Sequence, residues 1–346
     1  MEALFRHLID ITRHRDHHLL DRSIVSALHE LTGAGHVRML ELFQYRDALL
    51  VRPRAWTRDG KVVSMEESLE AERPGEPVAD YPGLVESIRQ RKNCFEEITA
   101  SGERILWLPI WLNDKVSACF EVKDAAPDRS DGMQVMEGIV NVYRNYLTLL
   151  DDSERDSLTG LLNRKTFDEK FSRMLAPMAP AALPAGGQER RSQTAAGQHW
   201  LAVIDIDHFK RINDQFGHLY GDEVLILVAN LLRSAFRSQD RIFRFGGEEF
   251  VILLHSATLE NAHKIFERLR ASIEKHDFPQ VGRVTVSLGF TAISAESPVV
   301  NLGHADQALY YAKAHGRNRV CHYEELVAGG ELHSQAVNDS AEFFFE

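Results

Sequence analysis

The sequence has few cysteines, no long apolar run and no excess of positive charge, and each lack excludes a class of protein. The three cysteines, Cys94, Cys119 and Cys321, are odd in number and far apart, so they predict neither a disulfide framework nor a metal site. No apolar run approaches the roughly 20 residues of a membrane-spanning helix, and the first residues do not resemble a signal peptide. The net charge of −11 argues against a nucleic-acid partner, which requires a basic surface. We therefore expect a cytoplasmic protein without a membrane span.

The length of 346 residues favours two domains, each with its own core. Apolar residues at helical spacing predict a helix over about 3–33, and a second, shorter helix is predicted at 81–90. Strands are predicted at 37–43, 48–56, 104–112 and 116–122. This order of a helix, strands, a helical crossover, a hairpin and a closing helix resembles a GAF or PAS sensory module, with GAF favoured. We expect this domain at 1–130 to bind an unknown ligand or partner.

Two features of the first domain have alternative interpretations. Asp10, His14 and His18 are four residues apart, so on one helix they would share a face that is able to hold zinc. A solvated face of mixed charge is favoured, because Arg13 and Arg15 add positive charge there. Further on, apolar residues recur at spacings of three and four, which is a heptad stripe: Met133, Met136, Val140, Tyr143, Leu147 and Leu150. The stripe predicts a helical, coiled-coil linker at 131–155; pairing in a parallel dimer is favoured over packing on its own domain.

The sequence RFGGEEF at 244–250 separates two strand-like apolar runs and predicts a β-hairpin. Gly246 and Gly247 at its tip permit positive φ and let a bulky ligand approach the backbone. The adjacent carboxylates of Glu248 and Glu249 repel each other unless a divalent cation or a proton lies between them and a substrate. Taken alone, the string also fits a solvated acidic hairpin.

A second acidic cluster follows the buried strand predicted at 200–204, where Asp205-Ile206-Asp207 begins. Acidic residues at a strand end that faces such a hairpin are an arrangement that holds magnesium against phosphates. Together with the string DSLTGLLNR at 156–164, these motifs resemble the GGDEF family of diguanylate cyclases, with Glu248 in the variable position. The resemblance covers about residues 153–325.

The resemblance implies a palm-like α/β (α+β) domain at 156–325, with a central, mainly antiparallel sheet flanked by helices and a flexible tail at 326–346. It implies that two such domains, each holding one GTP, meet face to face and form cyclic di-GMP and two pyrophosphates. The monomer would then be inactive, and a homodimer under control of the N-terminal sensor would be the working form. Residues 176–199, rich in Pro, Ala, Gly and Ser, are predicted to form a mobile loop.

The family pattern also assigns roles to the acidic residues. It places two Mg²⁺ or Mn²⁺ ions per site on Asp205, the Ile206 carbonyl and Glu248, and makes Asp207 structural. Glu248 is also the candidate proton acceptor. Glu249 holds the second ion or orients the attacking hydroxyl, and Gly246 and Gly247 complete the catalytic hairpin.

Further residues are assigned to the substrate. The resemblance places the triphosphate near Phe209, Lys210, Lys313 and Arg317, and the nucleoside near Asn213, His218 and Asp222. A carboxylate at Asp222 accepts both N1–H and the 2-amino group of guanine, which selects GTP over ATP. Without the other motifs Asp222 would be read as a helix N-cap, and Lys313 and Arg317 as partners of a helix C-terminal dipole.

Arg237 and Asp240 match the R-x-x-D inhibitory site of the family, where cyclic di-GMP as product binds away from the catalytic centre. Arg268, on the next predicted helix, is a candidate contribution from a partner domain.

The alternative function is a catalytically silent GGDEF receptor that binds GTP or cyclic di-GMP. Such receptors usually lose the metal aspartate or part of the hairpin. Asp205 and the hairpin residues are intact here, so the sequence favours an active diguanylate cyclase.

Overall fold

The computed structural model describes residues 2–14, 16–45, 48–65, 75–112, 114–124, 130–175, 198–237 and 239–332. The chain divides into two compact units, Met1–Ser153 and Glu154–Glu346. Most of the loop predicted at 176–199, and the tail from residue 333, lie outside the described residues. Within the described ranges, no helix is long and apolar enough to cross a membrane.

The first unit is built on an antiparallel sheet with strand order β3-β2-β1-β7-β6-β5, and β4 pairs with β2. The four predicted strands and the short helix are confirmed within a few residues. The strands are β1 (His36–Tyr45), β2 (Ala48–Arg58), β3 (Lys61–Ser64), β4 (Glu76–Pro77), β5 (Phe95–Ile98), β6 (Arg104–Leu112) and β7 (Lys115–Lys123). The helices are α1 (Glu2–Arg13), α2 (His17–Thr32), α3 (Pro82–Arg89) and α4 (Ser130–Glu154), the last running one residue into the second unit.

The single helix predicted over 3–33 is two helices, because Asp16 caps α2. Its carboxylate accepts hydrogen bonds from the backbone N–H groups of His18 (2.7 Å) and Leu19 (3.1 Å). Asp10 and His18 therefore lie on different helices, so the zinc-binding face does not form. No group of three histidine, cysteine or carboxylate side chains suited to a metal occurs in the described part of the chain.

The heptad stripe of α4 packs on the core of its own unit. Met136, Val140, Tyr143, Leu147 and Leu150 are all less than one-tenth exposed and join a cluster with residues of α2 and the sheet. The Tyr143 hydroxyl donates to Asp21 of α2 at 2.7 Å, and its ring meets Phe120 edge-on. The favoured interpretation of the stripe as a dimer seam is therefore wrong, since its side chains are already covered.

The second unit has a six-stranded sheet of order β15-β14-β9-β11-β10-β8, antiparallel except for the β14–β15 and β10–β8 pairs. Apolar clusters cover both faces of this sheet, which confirms the predicted layout of a mainly antiparallel sheet flanked by helices. Its strands are β8 (Leu162–Asn163), β9 (Gln198–Ile206), β10 (Arg241–Gly246), β11 (Glu249–Ala257), β14 (Val286–Ala292) and β15 (Val320–His322); β12 (Asp277–Phe278) and β13 (Gly282–Arg283) form a separate pair. The helices are α5 (Phe167–Leu175), α6 (Phe209–Phe216), α7 (His218–Ala235), α8 (Leu259–Lys275), α9 (Pro298–Ala314) and α10 (Tyr323–Ala328), which extends past the start of the predicted tail.

Candidate active site

The predicted hairpin is formed by β10 and β11, but its tip is one residue further along the chain. Strand β10 runs through Gly246, and the two turn residues are Gly247 and Glu248. The register shifts at a bulge between Arg244 and Gly246, and neither Gly246 nor Gly247 uses the positive φ that glycine permits. A Cβ added at Gly247 would meet no atom within 4 Å, so the tip is open to an approaching molecule, as expected.

The register between β9 and β11 brings the acidic residues together. Asp205 lies directly opposite Glu249, and the Ile206 N–H donates to the Glu248 carbonyl at 3.4 Å. Cross-strand partners have Cβ atoms only about 5 Å apart, and Glu248 interacts electrostatically with Asp205, so the strand-end aspartate and the two glutamates form one cluster. Asp205 is 5% exposed, which keeps its carboxylate largely away from water.

A lysine from α9 completes the cluster, because this helix packs unusually close to the sheet. A Cβ at Gly289 of β14 would lie 2.1 Å from the Ala305 carbonyl oxygen, so only glycine allows this approach. Lys313, in the last turn of α9, thereby places its Nζ 2.8 Å from Asp205 Oδ2. Asp306 lies two turns earlier on the same helix and interacts electrostatically with Asp205 and Lys313.

The electrostatics of the cluster favour uptake of a cation or a proton. Burial, followed by the charge of Asp205, raises the pKa of Glu248 to about 6. Burial likewise raises the pKa of Asp205, although Lys313 opposes this shift, and burial together with Asp306 raises the pKa of Glu249. Carboxylates crowded in this way are stabilised by a divalent cation.

The oxygen donors of the cluster suit Mg²⁺ or a similar hard ion whose remaining coordination positions are filled by a substrate. The described residues contain no ready-made cage of three carboxylates around one point. Magnesium does not require one, since it usually binds one or two carboxylates together with phosphate oxygens of the substrate. Asp205, Glu248 and the Ile206 carbonyl at the strand end are oxygen donors of that kind.

Asp207 has a structural role, in agreement with its interpretation from the sequence. Its two carboxylate oxygens accept hydrogen bonds from the hydroxyls of Thr285 and Ser287, each at 2.7 Å, and from the Asn318 N–H at 3.0 Å. The side chain thus joins β9 to β14 and to the turn that follows α9.

Of the residues expected to bind the nucleoside and the phosphates, those from Phe209 to Asp222 lie on α6 and α7. Phe209 is buried, so only its backbone is available to a ligand, whereas Lys210 is exposed. Gly221 lets α7 approach α6, since a Cβ there would lie 2.0 Å from Asn213 Oδ1. Asp222 is exposed and is the fifth residue of α7, so its interpretation as a helix N-cap is wrong.

His218 and Arg317 stand at the ends of two helices. His218 is the exposed first residue of α7. Arg317 is exposed and lies three residues beyond the end of α9. Lys313 is therefore the last-turn residue of the helix, and Arg317 belongs to the turn that follows it. Only Lys313 of these two contacts the acidic cluster directly.

Two further residues of this site were not assigned from the sequence. Arg244 donates from Nε and Nη2 to the Gly247 carbonyl, at 3.2 and 2.9 Å, and from Nη1 to both oxygens of Asp156, at 3.0 and 3.2 Å. Arg244 and Asp156 both belong to motifs quoted above, so the sequence marked each of them. Their contact could not be foreseen, because it joins residues 88 positions apart. The Asp156 turn is itself held by the Thr159 N–H and hydroxyl, at 2.8 and 2.6 Å.

The residues expected to form the inhibitory site lie at the far end of α7. Arg237 is exposed, whereas Asp240 is buried and its two oxygens accept the N–H groups of Arg237 and His255, each at 2.9 Å. Arg268 of α8 donates to the Ala235 carbonyl at 3.3 Å, which brings it near Arg237 within the same unit.

The second unit matches a known family. Residues 153–319 match the family model described as "Diguanylate cyclase, GGDEF domain". The match does not include residues 1–152, so a GAF or PAS identity for the first unit stays a prediction.

Named relatives and a solved structure are similar to part of the chain. Diguanylate cyclase DgcP of Pseudomonas aeruginosa is 44% identical over 169 residues, which are 48% of this chain and 23% of that protein. Diguanylate cyclase DgcZ of Escherichia coli is 33% identical over 199 residues, 56% of this chain and 62% of that protein. The solved GGDEF domain of DgcB from Caulobacter crescentus, in complex with c-di-GMP, is 32% identical, with 50% of this chain and 94% of that one covered and a TM-score of 0.43. The chain thus spans less than two thirds of either curated relative, and its residues 153–319 match the model of the GGDEF-domain family of diguanylate cyclases.

Proposed function

We propose that this protein is a diguanylate cyclase that condenses two GTP molecules into cyclic di-GMP and two pyrophosphates. The observation that carries the proposal is the register that sets Asp205 opposite Glu249, with Glu248 at the open hairpin tip. The names of the relatives and the family match support the same reaction.

The acidic cluster has the donors to hold divalent cations. Asp205, Glu248 and the Ile206 carbonyl would hold Mg²⁺ or Mn²⁺, two per site. Such ions neutralise charge that develops on the α-phosphate and lower the pKa of the attacking 3′-hydroxyl. The pKa of Glu248, at about 6, leaves this carboxylate ionised near neutral pH and able to accept the hydroxyl proton. Glu249 orients the same hydroxyl or assists the second ion.

Substrate binding is assigned to the exposed groups around the cluster. Lys210, Lys313 and Arg317 bind the phosphates, and the first-turn N–H groups near Phe209 cradle them. Asn213 and His218 contact the nucleoside. Asp222 accepts the two adjacent donors of guanine, which adenine lacks.

One unit binds one GTP, so the reaction needs a second copy of the chain. We propose a homodimer in which two sites face each other, under control of a ligand or partner of the first unit. The buried α4 stripe does not supply the contact between the copies. Arg237, Asp240 and Arg268 form the site at which cyclic di-GMP inhibits the enzyme.

The test is to incubate the purified full chain with GTP and Mg²⁺ and to separate the nucleotides by chromatography. Cyclic di-GMP and pyrophosphate are the expected products, and Asp205→Asn should abolish both. Asp59→Asn is the matched control, because Asp59 is exposed in a turn at φ 51°, which asparagine tolerates. Binding of GTP without turnover would instead favour a catalytically silent receptor.

A further inference from the structure

The turn after α9 is held in an unusual backbone conformation. Gly316, Arg317 and Asn318 have φ values of 107°, 60° and 48°, so three consecutive residues occupy the left-handed region. The Arg317 N–H donates to the Ala312 carbonyl at 2.9 Å, which ends the helix in the manner of a Schellman motif. Arginine disfavours this conformation, so surrounding contacts have to maintain it.

Asn318 provides those contacts through its backbone N–H and both polar atoms of its side chain. Its N–H donates to Asp207 at 3.0 Å, and its Nδ2 donates to Glu274 at 2.9 Å. Its Oδ1 accepts from Arg270 at 2.7 Å. The turn is therefore fixed both to the end of the sheet and to α8.

The anchor on α8 is itself rigid. The Arg270 side chain is only 13% exposed and is bonded to Glu267 at 2.5 Å and to Glu274 at 2.8 Å. The same guanidinium nitrogen, Nη1, donates to both Glu274 and Asn318, so the contacts that hold Arg270 also direct it towards Asn318. On the other side of the turn, Asp207 is two residues from Asp205 in β9 and its own hydrogen bonds are satisfied.

We propose that Asn318, held by Arg270, Glu274 and Asp207, is a positioning residue that aims Arg317 at the terminal phosphates of the bound nucleotide. The inference rests on the proposed function, in which Arg317 is a phosphate ligand. Asn318 acts through Arg317, because its own side chain is engaged by α8.

Two variants disturb this anchor from opposite sides. Asn318→Gly retains freedom at positive φ and removes both side-chain hydrogen bonds. Arg270→Gln leaves the turn sequence intact and removes the charge that holds it. The matched control is Lys264→Gln, which breaks the exposed Lys264–Glu260 pair on the same helix.

Calorimetry with GMP, GDP and a GTP analogue bridged by a methylene between the α- and β-phosphorus separates positioning from general damage. We expect the first two variants to lose about tenfold in affinity for the GTP analogue and the control none. Affinity for GMP should not change. Arg317→Ala should cause the same loss, and Arg317→Ala combined with Asn318→Gly no more than either alone.

Equal losses for GMP and the GTP analogue, or additive losses in the double variant, would overturn the inference. Hydrogen exchange at the Arg317 amide checks the anchor without nucleotide and should be faster in both variants, with α7 unaffected. If the Arg317 amide exchanged as slowly in both variants as in the wild-type protein, the inference would also be overturned. If the wild-type protein bound none of the three nucleotides, the proposed function would fail and the positioning role with it, whereas exchange data would still report on the anchor.

Discussion

Arg244 and Asp156 form a partly buried ion pair that ties the tip of the acidic hairpin to the turn after α4. One guanidinium nitrogen lies 3.0 and 3.2 Å from the two carboxylate oxygens, and the other two donate to the Gly247 carbonyl. The side chains are 14% and 22% exposed, so the pair is less screened than a surface ion pair. The contact links the turn at Asp156 to the backbone next to Glu248.

Breaking this pair should reduce turnover more than it reduces substrate affinity. We expect Arg244→Gln to lower kcat by about 10- to 100-fold, because a displacement of the tip by about 1 Å misplaces Glu248. Asp156→Asn should have a similar effect, and steady-state kinetics of both single variants and the double variant would measure it. Losses that multiply in the double variant would show that the two residues act independently.

The ionisation of Glu248 predicts how stability depends on pH. In metal-free buffer the folded protein keeps a proton on Glu248 up to about pH 6, whereas the unfolded chain releases it near pH 4.5. The folded state therefore binds more protons in this window, so this group makes the free energy of unfolding fall as pH rises. Denaturant titrations across the window should show a smaller fall for Glu248→Gln than for the wild type. An identical pH dependence in both proteins would contradict the raised pKa.

Asp222 should determine the choice of base. Asp222→Ser is expected to lower kcat/KM for GTP by about 10- to 100-fold, because two hydrogen bonds to a charged acceptor are lost. Discrimination against ATP should fall by a similar factor. Glu223→Ser, a change in the neighbouring exposed carboxylate of the same helix, is the control. Unchanged discrimination would remove Asp222 from the guanine site.

Arg237→Ala should relieve inhibition by product. We expect about a tenfold rise in the inhibition constant for cyclic di-GMP, from the loss of one charged ligand, with little change in the initial rate. Arg237 is a cleaner choice than Asp240, whose buried carboxylate also accepts two backbone N–H groups. Rates measured at increasing product concentration would provide the comparison, and equal constants in variant and wild type would refute the site.

The stripe on α4 should behave as core. Leu147→Ala is expected to lower the free energy of unfolding by about 2–5 kcal/mol, because Leu147 is 7% exposed. Leu149→Ala on the same helix, where the side chain is 65% exposed, should change it by less than about 0.5 kcal/mol. Neither should alter the mass measured by light scattering. A Leu147→Ala variant that dissociated without loss of stability would restore the pairing interpretation.

The long strands of both units and the two acidic motifs were predictable, because alternating or continuous apolar runs have few other solutions. The break between α1 and α2 was not, since helical spacing continues across Asp16 and only its cap reveals the end of one helix. The stripe on α4 was ambiguous for a similar reason. A helix that packs on its own domain and a helix that pairs with a copy need the same spacing of apolar residues.

By itself the sequence determined which residue types stand at the strand end and hairpin tip, because apolar runs and glycines set those local structures. Tertiary structure alone decided that Lys313 meets Asp205, that Arg244 meets Asp156 and that Asn318 anchors the turn of Arg317. Lys313 and Asp205 are 108 positions apart, and Arg244 and Asp156 are 88 positions apart. Asn318 is 48 positions from Arg270 and 111 from Asp207. Strand register and the close packing of α9 at Gly289 bring Lys313 to the acidic cluster, and no local pattern encodes either one.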